Sequence, residues 1–89
     1  MSVYRQVADI AGVVAFPATA QVEIPFEPIG TTIVNQSNDD VEMSFNGIDV
    51  HGTLLRGNGL RFQQRAKRVW LRRVSPGAAA TPVEVIAES

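Results

Sequence analysis

Eighty-nine residues with no cysteine and a formal net charge of −1 exclude a disulfide framework, a thiolate metal centre and a strongly basic nucleic-acid module. A chain of this length buries only about 60–65% of its unfolded surface, so association with copies of itself or with a larger partner is the remaining route to extra stability. No apolar run approaches the ~20 residues that span a bilayer, and no membrane partner is expected.

Val3 to Val7 and Val22 to Phe26 alternate as strands do, while Gly12, Pro17, Pro25 and Pro28 break any continuous element and confine strands here to sheet edges. Residues 1–28 read either as short edge strands or as an extended N-terminal arm. A helix over Val7 to Phe16 is the weaker alternative, because Gly12, Val13 and Val14 are poor helix formers and no strong cap precedes them. Arg5, the apolar segment Ile10 to Phe16 and Ala18-Thr19-Ala20 have the outline of a secretory signal. The segment is at the minimum length, however, and Asp9 interrupts its approach, so retention is expected.

From Thr31 the strand pattern strengthens. Thr31 to Gln36 is rich in β-branched residues, Ser37 to Asp40 is a polar turn, and Val41 to Phe45 alternates. A two-residue type I′ turn at Asn46-Gly47 would place Phe45 opposite Ile48, Met43 opposite Val50 and Val41 opposite Gly52 on an apolar face. Ser44 with Asp49 and Glu42 with His51 would then share the polar face. Thr53 to Leu55, Leu60 to Gln64 and Val69 to Val74 follow, with a turn over Arg56 to Gly59. Ser75 to Ala80 is a small-residue loop, and Pro82 to Ala87 closes the chain as a strand expected to pair with Val69 to Val74. The whole reads as a single all-β domain over 1–89: a small antiparallel β-sandwich or partly closed barrel of about six to eight short strands.

Little in this pattern carries chemistry. Ser44, Asp49 and His51 share a face, but a triad needs the base within reach of the nucleophile and an orienting carboxylate on the far ring nitrogen, whereas His51 is better placed to meet Glu42. Asn38-Asp39-Asp40 lacks the spacing of a calcium loop and reads as turn chemistry. Gly57-Asn58-Gly59 is a turn too, with no lysine–serine pair to make a phosphate loop. No catalytic residue, cofactor or metal is expected.

Charge is segregated: seven of the eight basic residues lie between Arg56 and Arg73, and no Asp or Glu occurs between Val50 and Val83. Such a pattern implies pairing between strands of the domain or complementary patches on neighbouring subunits. Nucleic acid is a poor fit, because alternation puts Arg68 and Arg72 beside Trp70 on one face and Arg73 with Val69 and Leu71 on the other. Several of these arginines must then lie at strand ends, at an interface, or over the aromatic ring as a cation–π partner.

The run Ile33-Val34-Asn35-Gln36-Ser37-Asn38-Asp39-Asp40-Val41-Glu42-Met43-Ser44-Phe45-Asn46-Gly47 resembles a pattern in small virion proteins of tailed bacteriophages: a strand ending in Asn, a polar turn, a strand, then a Gly turn. His51, Leu54-Leu55, Gly57-Asn58-Gly59, the strand Val69 to Arg72 and the segment Ser75 to Ala87 continue it, over about two thirds of the chain. The resemblance implies a non-enzymatic structural protein of the virion, made in the host cytoplasm. Capsid decoration or cementing is the leading role, and a head–tail junction (neck) or tail component the alternative. Implied partners are the major capsid protein or neck and tail subunits, with homo-oligomerisation, and Arg61, Arg65, Lys67, Arg68 and Arg72 would meet acidic patches on neighbours. A reading from another class is a ligand- or carbohydrate-binding sandwich with Trp70 or Phe62 as an exposed stacking platform.

Overall fold

The structure, a computed structural model, describes residues 2–89. Eight strands follow one another: β1 (Val3–Asp9), β2 (Val22–Glu23), β3 (Gly30–Asn35), β4 (Val41–Ser44), β5 (Gly52–Leu54), β6 (Gly59–Phe62), β7 (Arg68–Arg73) and β8 (Pro82–Glu88). They form two four-stranded antiparallel sheets, ordered β1-β8-β3-β6 and β2-β7-β4-β5. The antiparallel sandwich read from the alternation is therefore the fold. Among the described residues there is no helix, so the segment Val7 to Phe16 continues β1 to Asp9 and then crosses between the sheets.

Period-two alternation builds the core. Val83, Val85 and Ala87 of β8 and Ile33 of β3 face inward from one sheet; Val41 and Met43 of β4, Leu54 of β5 and Val69 and Leu71 of β7 face inward from the other. Each fully buried Leu, Ile, Val or Met side chain contributes on the order of 1.5–3 kcal/mol. Ile10, just past β1, is fully buried with them, so the segment that resembles a signal sequence supplies both a strand and a core residue.

Three pairings differ from expectation. β8 pairs with β1 and β3 rather than with β7. Its neighbour in sequence lies in the opposite sheet, because the loop Val74–Thr81 carries the chain across the sandwich. β4 and β5 do pair, but with Val41 opposite Leu54 and Met43 opposite Gly52. The register is displaced by two residues, which leaves Val41, Met43 and Gly52 on one face as expected while putting a large apolar residue, not Gly52, opposite Val41.

The cause of the shift is local. Among the described residues no non-glycine residue has positive φ, so Asn46 does not adopt the turn conformation a type I′ hairpin needs; Gly47 does, at φ 76°. Instead Ser44 Oγ accepts the Asn46 and Gly47 N–H groups, and Asn46 Oδ1 accepts those of Ile48 and Asp49. Side-chain acceptors thus hold a seven-residue loop open where a tight turn would have satisfied the backbone itself. Ile48 consequently stands in solvent at 80% exposure rather than facing Phe45, and Ile48 to His51 is not a strand.

Between β1 and β2 the chain runs as an irregular edge beside β7. Arg73 N–H donates to the Val13 carbonyl, Ile24 N–H donates to Lys67, and between them the Gln21 side-chain amide pairs with both the N–H and the carbonyl of Leu71. Residues 14–20 bulge outward. Trp70 Nε1 donates to the Pro17 carbonyl, and the Arg72 guanidinium lies 4.3 Å above the Phe16 ring. The cation–π contact of Arg72 is therefore with Phe16 and not with an aromatic of the arginine-rich stretch itself.

Candidate functional site

The space between the sheets is closed. Ile10, Ile33, Met43, Leu54 and Leu71 are fully buried in it, and among the described residues no three His, Cys, Asp or Glu side chains are gathered in a way that could hold a metal ion. Its polar residues are used structurally. Asn35, fully buried, donates from Nδ2 to the carbonyls of Asp39 and Leu54 and accepts on Oδ1 from the N–H and Oγ of Ser37. This side chain, with Ser37, organises the β3–β4 reversal that was ascribed to Asn38-Asp39-Asp40. Asp40 instead accepts the Arg56 N–H, and Asp39 pairs with Arg73.

Arg73 is the residue sequence reasoning passed over. Only 4% exposed, it donates to the carbonyls of Ser75 and Ala79 and to Thr81 Oγ1, and sits 3.2 Å from Asp39 Oδ2. The β7 alternation had placed it on the inward face, and that parity was the available signal. It ties the crossing loop to the end of β7.

The five basic residues assigned to a partner surface are not brought together. Arg61 on β6 pairs with Glu88 in one sheet, whereas Arg68 and Arg72 on β7 pair with Glu23 and Glu42 in the other. Arg65 and Lys67 lie in the β6–β7 connection, and Arg65 approaches Glu27 at 3.5 Å. Arg61, Arg65, Arg68 and Arg72, segregated from acidic residues along the chain, are thus matched to glutamates within the domain. Exposed pairs of this kind are worth about 0–1 kcal/mol each.

The Ser44, Asp49 and His51 grouping is pulled apart. Ser44 Oγ is engaged with Asn46, and His51 Nδ1 accepts the Phe45 N–H with its ring tilted against Phe45 at 5.7 Å. Glu42, expected beside His51, is held by Arg72 at 2.9 Å. Two surface depressions lie outside the sandwich: one of about 400 Å³ beside Asp39, Asp40 and Arg56, another of about 220 Å³ between the bulge and Trp70. Neither contains a histidine.

What remains open is a strand edge. Ser89 N–H donates to Ser2 and Ile10 N–H to Thr81, so the even-numbered residues of β1 exchange bonds with β8. By the same parity the backbone groups of Val3, Arg5, Val7 and Asp9 turn away from the sheet, and no other described segment covers them. The other three edges are short: β2 has two residues, β5 three and β6 four, against seven for β1. Val3 and Val7 are 62% and 51% exposed. Arg5 reaches Glu84 on β8, and Asp9 accepts the N–H groups of Thr81 and Ala11, which hold its carboxyl below the usual carboxylate range.

No protein-family model matches the sequence, and no curated protein is significantly similar to it. Among solved structures the fold is similar to a Cupin_2 domain of an XRE family transcriptional regulator from Enterobacter cloacae. That match has a TM-score of 0.52 and 18% identity, covering 98% of this chain and 79% of that one. The likeness is one of fold, an antiparallel β-sandwich.

This finding overturns the structural virion role, whether capsid decoration, cementing, or a neck or tail component. The arginines that were to meet neighbours have partners in the chain itself. The stacking-platform alternative is not retained either. Trp70 is half-buried, hydrogen-bonded to Pro17 and overlaid by Gly47, and Phe62 is half-buried edge-on to Phe45 at 5.2 Å.

Proposed function

We propose that this chain is a non-enzymatic association module with a cupin-like fold, of the kind that holds regulatory chains together in pairs. The observation that carries the reading is the closed interior: apolar side chains fill the space in which a sandwich or barrel of this type would otherwise hold a ligand. Activity must then reside on the outside, where the one long strand edge is unpaired. The similarity of fold to a domain of a transcriptional regulator supports the regulatory setting.

Joining the chain to a helix-turn-helix domain that is monomeric by itself tests this. An associating module brings two DNA-binding domains together, so the fusion should occupy an operator with two half-sites cooperatively and far more tightly than a single half-site. A fusion that stays monomeric and fills the two half-sites independently overturns the reading.

A further inference from the structure

Resting on that reading, the geometry points to the partner and the register: we infer that β1 pairs antiparallel with β1 of a second copy, about a two-fold axis at Val7, to make one continuous eight-stranded sheet. Three observations converge on this. The outward backbone groups belong to the odd-numbered residues, so only registers that set odd residues opposite odd residues form hydrogen bonds. Among these, centring on Arg5 would set two like charges face to face, whereas centring on Val7 sets Arg5 opposite Asp9 of the partner subunit, and does so twice by symmetry. Centring on Gln6 is also allowed by parity, but it sets Val7 opposite Arg5 and Val3 opposite Asp9, so neither charge is matched.

The charges are available for this. Asp9 is exposed, and Thr81 and Ala11 both bond its Oδ1, leaving Oδ2 free; Arg5 has 67% of its side chain exposed and spends only its Nε on Glu84. The edge also lacks two of the usual protections. It has no proline and no bulge, it is seven residues long, and Val3 and Val7 put apolar side chains beside it.

The chain has no cysteine, which permits a register-specific test. Residues on the axis of a hydrogen-bonded antiparallel pair lie ~5.5 Å apart at Cα, within disulfide range. Val7→Cys should therefore oxidise to a covalent dimer within minutes. Val3→Cys, more exposed but ~25 Å from its own mate in this register by strand rise, should not. Val7→Pro removes an N–H that points away from β8, so the fold is kept while the edge is blocked, and sedimentation equilibrium should show association weakened by about tenfold or more.

If the wild-type chain associates but Val7→Cys crosslinks no faster than Val3→Cys, the β1 register is overturned and the association module survives with another surface. If the wild-type chain is monomeric throughout a concentration series, the association module itself falls. Should Val7→Pro fail to fold, the cysteine pair decides alone.

Discussion

Replacing Asn35 with alanine should be among the most damaging single changes, although Asn35 touches no surface. Its amide is fully buried and makes four hydrogen bonds spanning β3, the following turn and the end of β5. After truncation the Ser37 hydroxyl still reaches the Asp39 carbonyl at 3.0 Å, so that acceptor keeps a donor. The Leu54 carbonyl keeps only the Val41 N–H across β4 and β5, and the Ser37 N–H is left without a partner. The orphaned N–H costs about 1–3 kcal/mol and the lost second bond to the carbonyl about 0.5–1.5 kcal/mol, or about 2–4 kcal/mol together. A domain of this size is stable by only about 4–13 kcal/mol, so the loss is a large fraction of the total. In urea, with a slope of about 1–2 kcal/mol/M, the midpoint should fall by about 2 M at unchanged slope. Gln36→Ala, one residue on and exposed, should change stability by less than about 0.5 kcal/mol. A loss below about 1 kcal/mol for Asn35→Ala would refute the view that this amide joins the two sheets.

Three further outcomes follow from the same reasoning. Thr31 Oγ1 is buried with no hydrogen-bond partner, so Thr31→Val should stabilise the fold by about 1 kcal/mol in the same titration, and a destabilisation would show that the hydroxyl is bonded in solution. Gly47→Ala combines a positive φ with a Cβ only 2.8 Å from the Trp70 ring, which the Pro17 contact holds in place; a loss of about 2 kcal/mol is expected together with a red shift of the emission of this sole tryptophan. An unshifted spectrum at full stability would contradict the packing. The Asp9 carboxyl is held below its ordinary value of 3.8 by the Thr81 and then the Ala11 N–H, so the folded state binds fewer protons than the unfolded one in acid. The stability it contributes is complete above pH 3.8 and disappears as the pH falls through the lower folded value. The advantage of wild type over Asp9→Asn should accordingly be constant near neutrality and shrink in acid. An advantage that persists undiminished to the lowest pH would rule out this linkage.

The candidate site was less legible than the fold. The glycine and prolines of residues 1–28 placed Val3 to Val7 at a sheet edge, as β1 is, but did not say which strand would occupy its one side; only the fold sets β8 there and no other described segment on the outer side. The arginines of the β6–β7 region suggested an external partner because their acidic counterparts lie far along the chain: Glu42 and Arg72 are thirty positions apart yet directly opposite across β4 and β7. Arg73 was placed on the inward face by alternation, but only the return of Ser75, Ala79 and Thr81 around it explains how a guanidinium is accommodated there.

What this sequence determined by itself is the set of elements and the face each residue takes. Alternation with period two is a property of the strand alone, so Met43, Val69 and Leu71 face inward whatever they pair with, and a register shift of two residues at the β4–β5 loop left those assignments untouched. What only tertiary structure decided is adjacency: β8 beside β1 and β3, a seven-residue loop in place of a tight turn, ion pairs closed inside the domain, and an unpaired edge. Strand order depends on how both sheets close their apolar faces at once, a condition on the whole chain that no local segment contains.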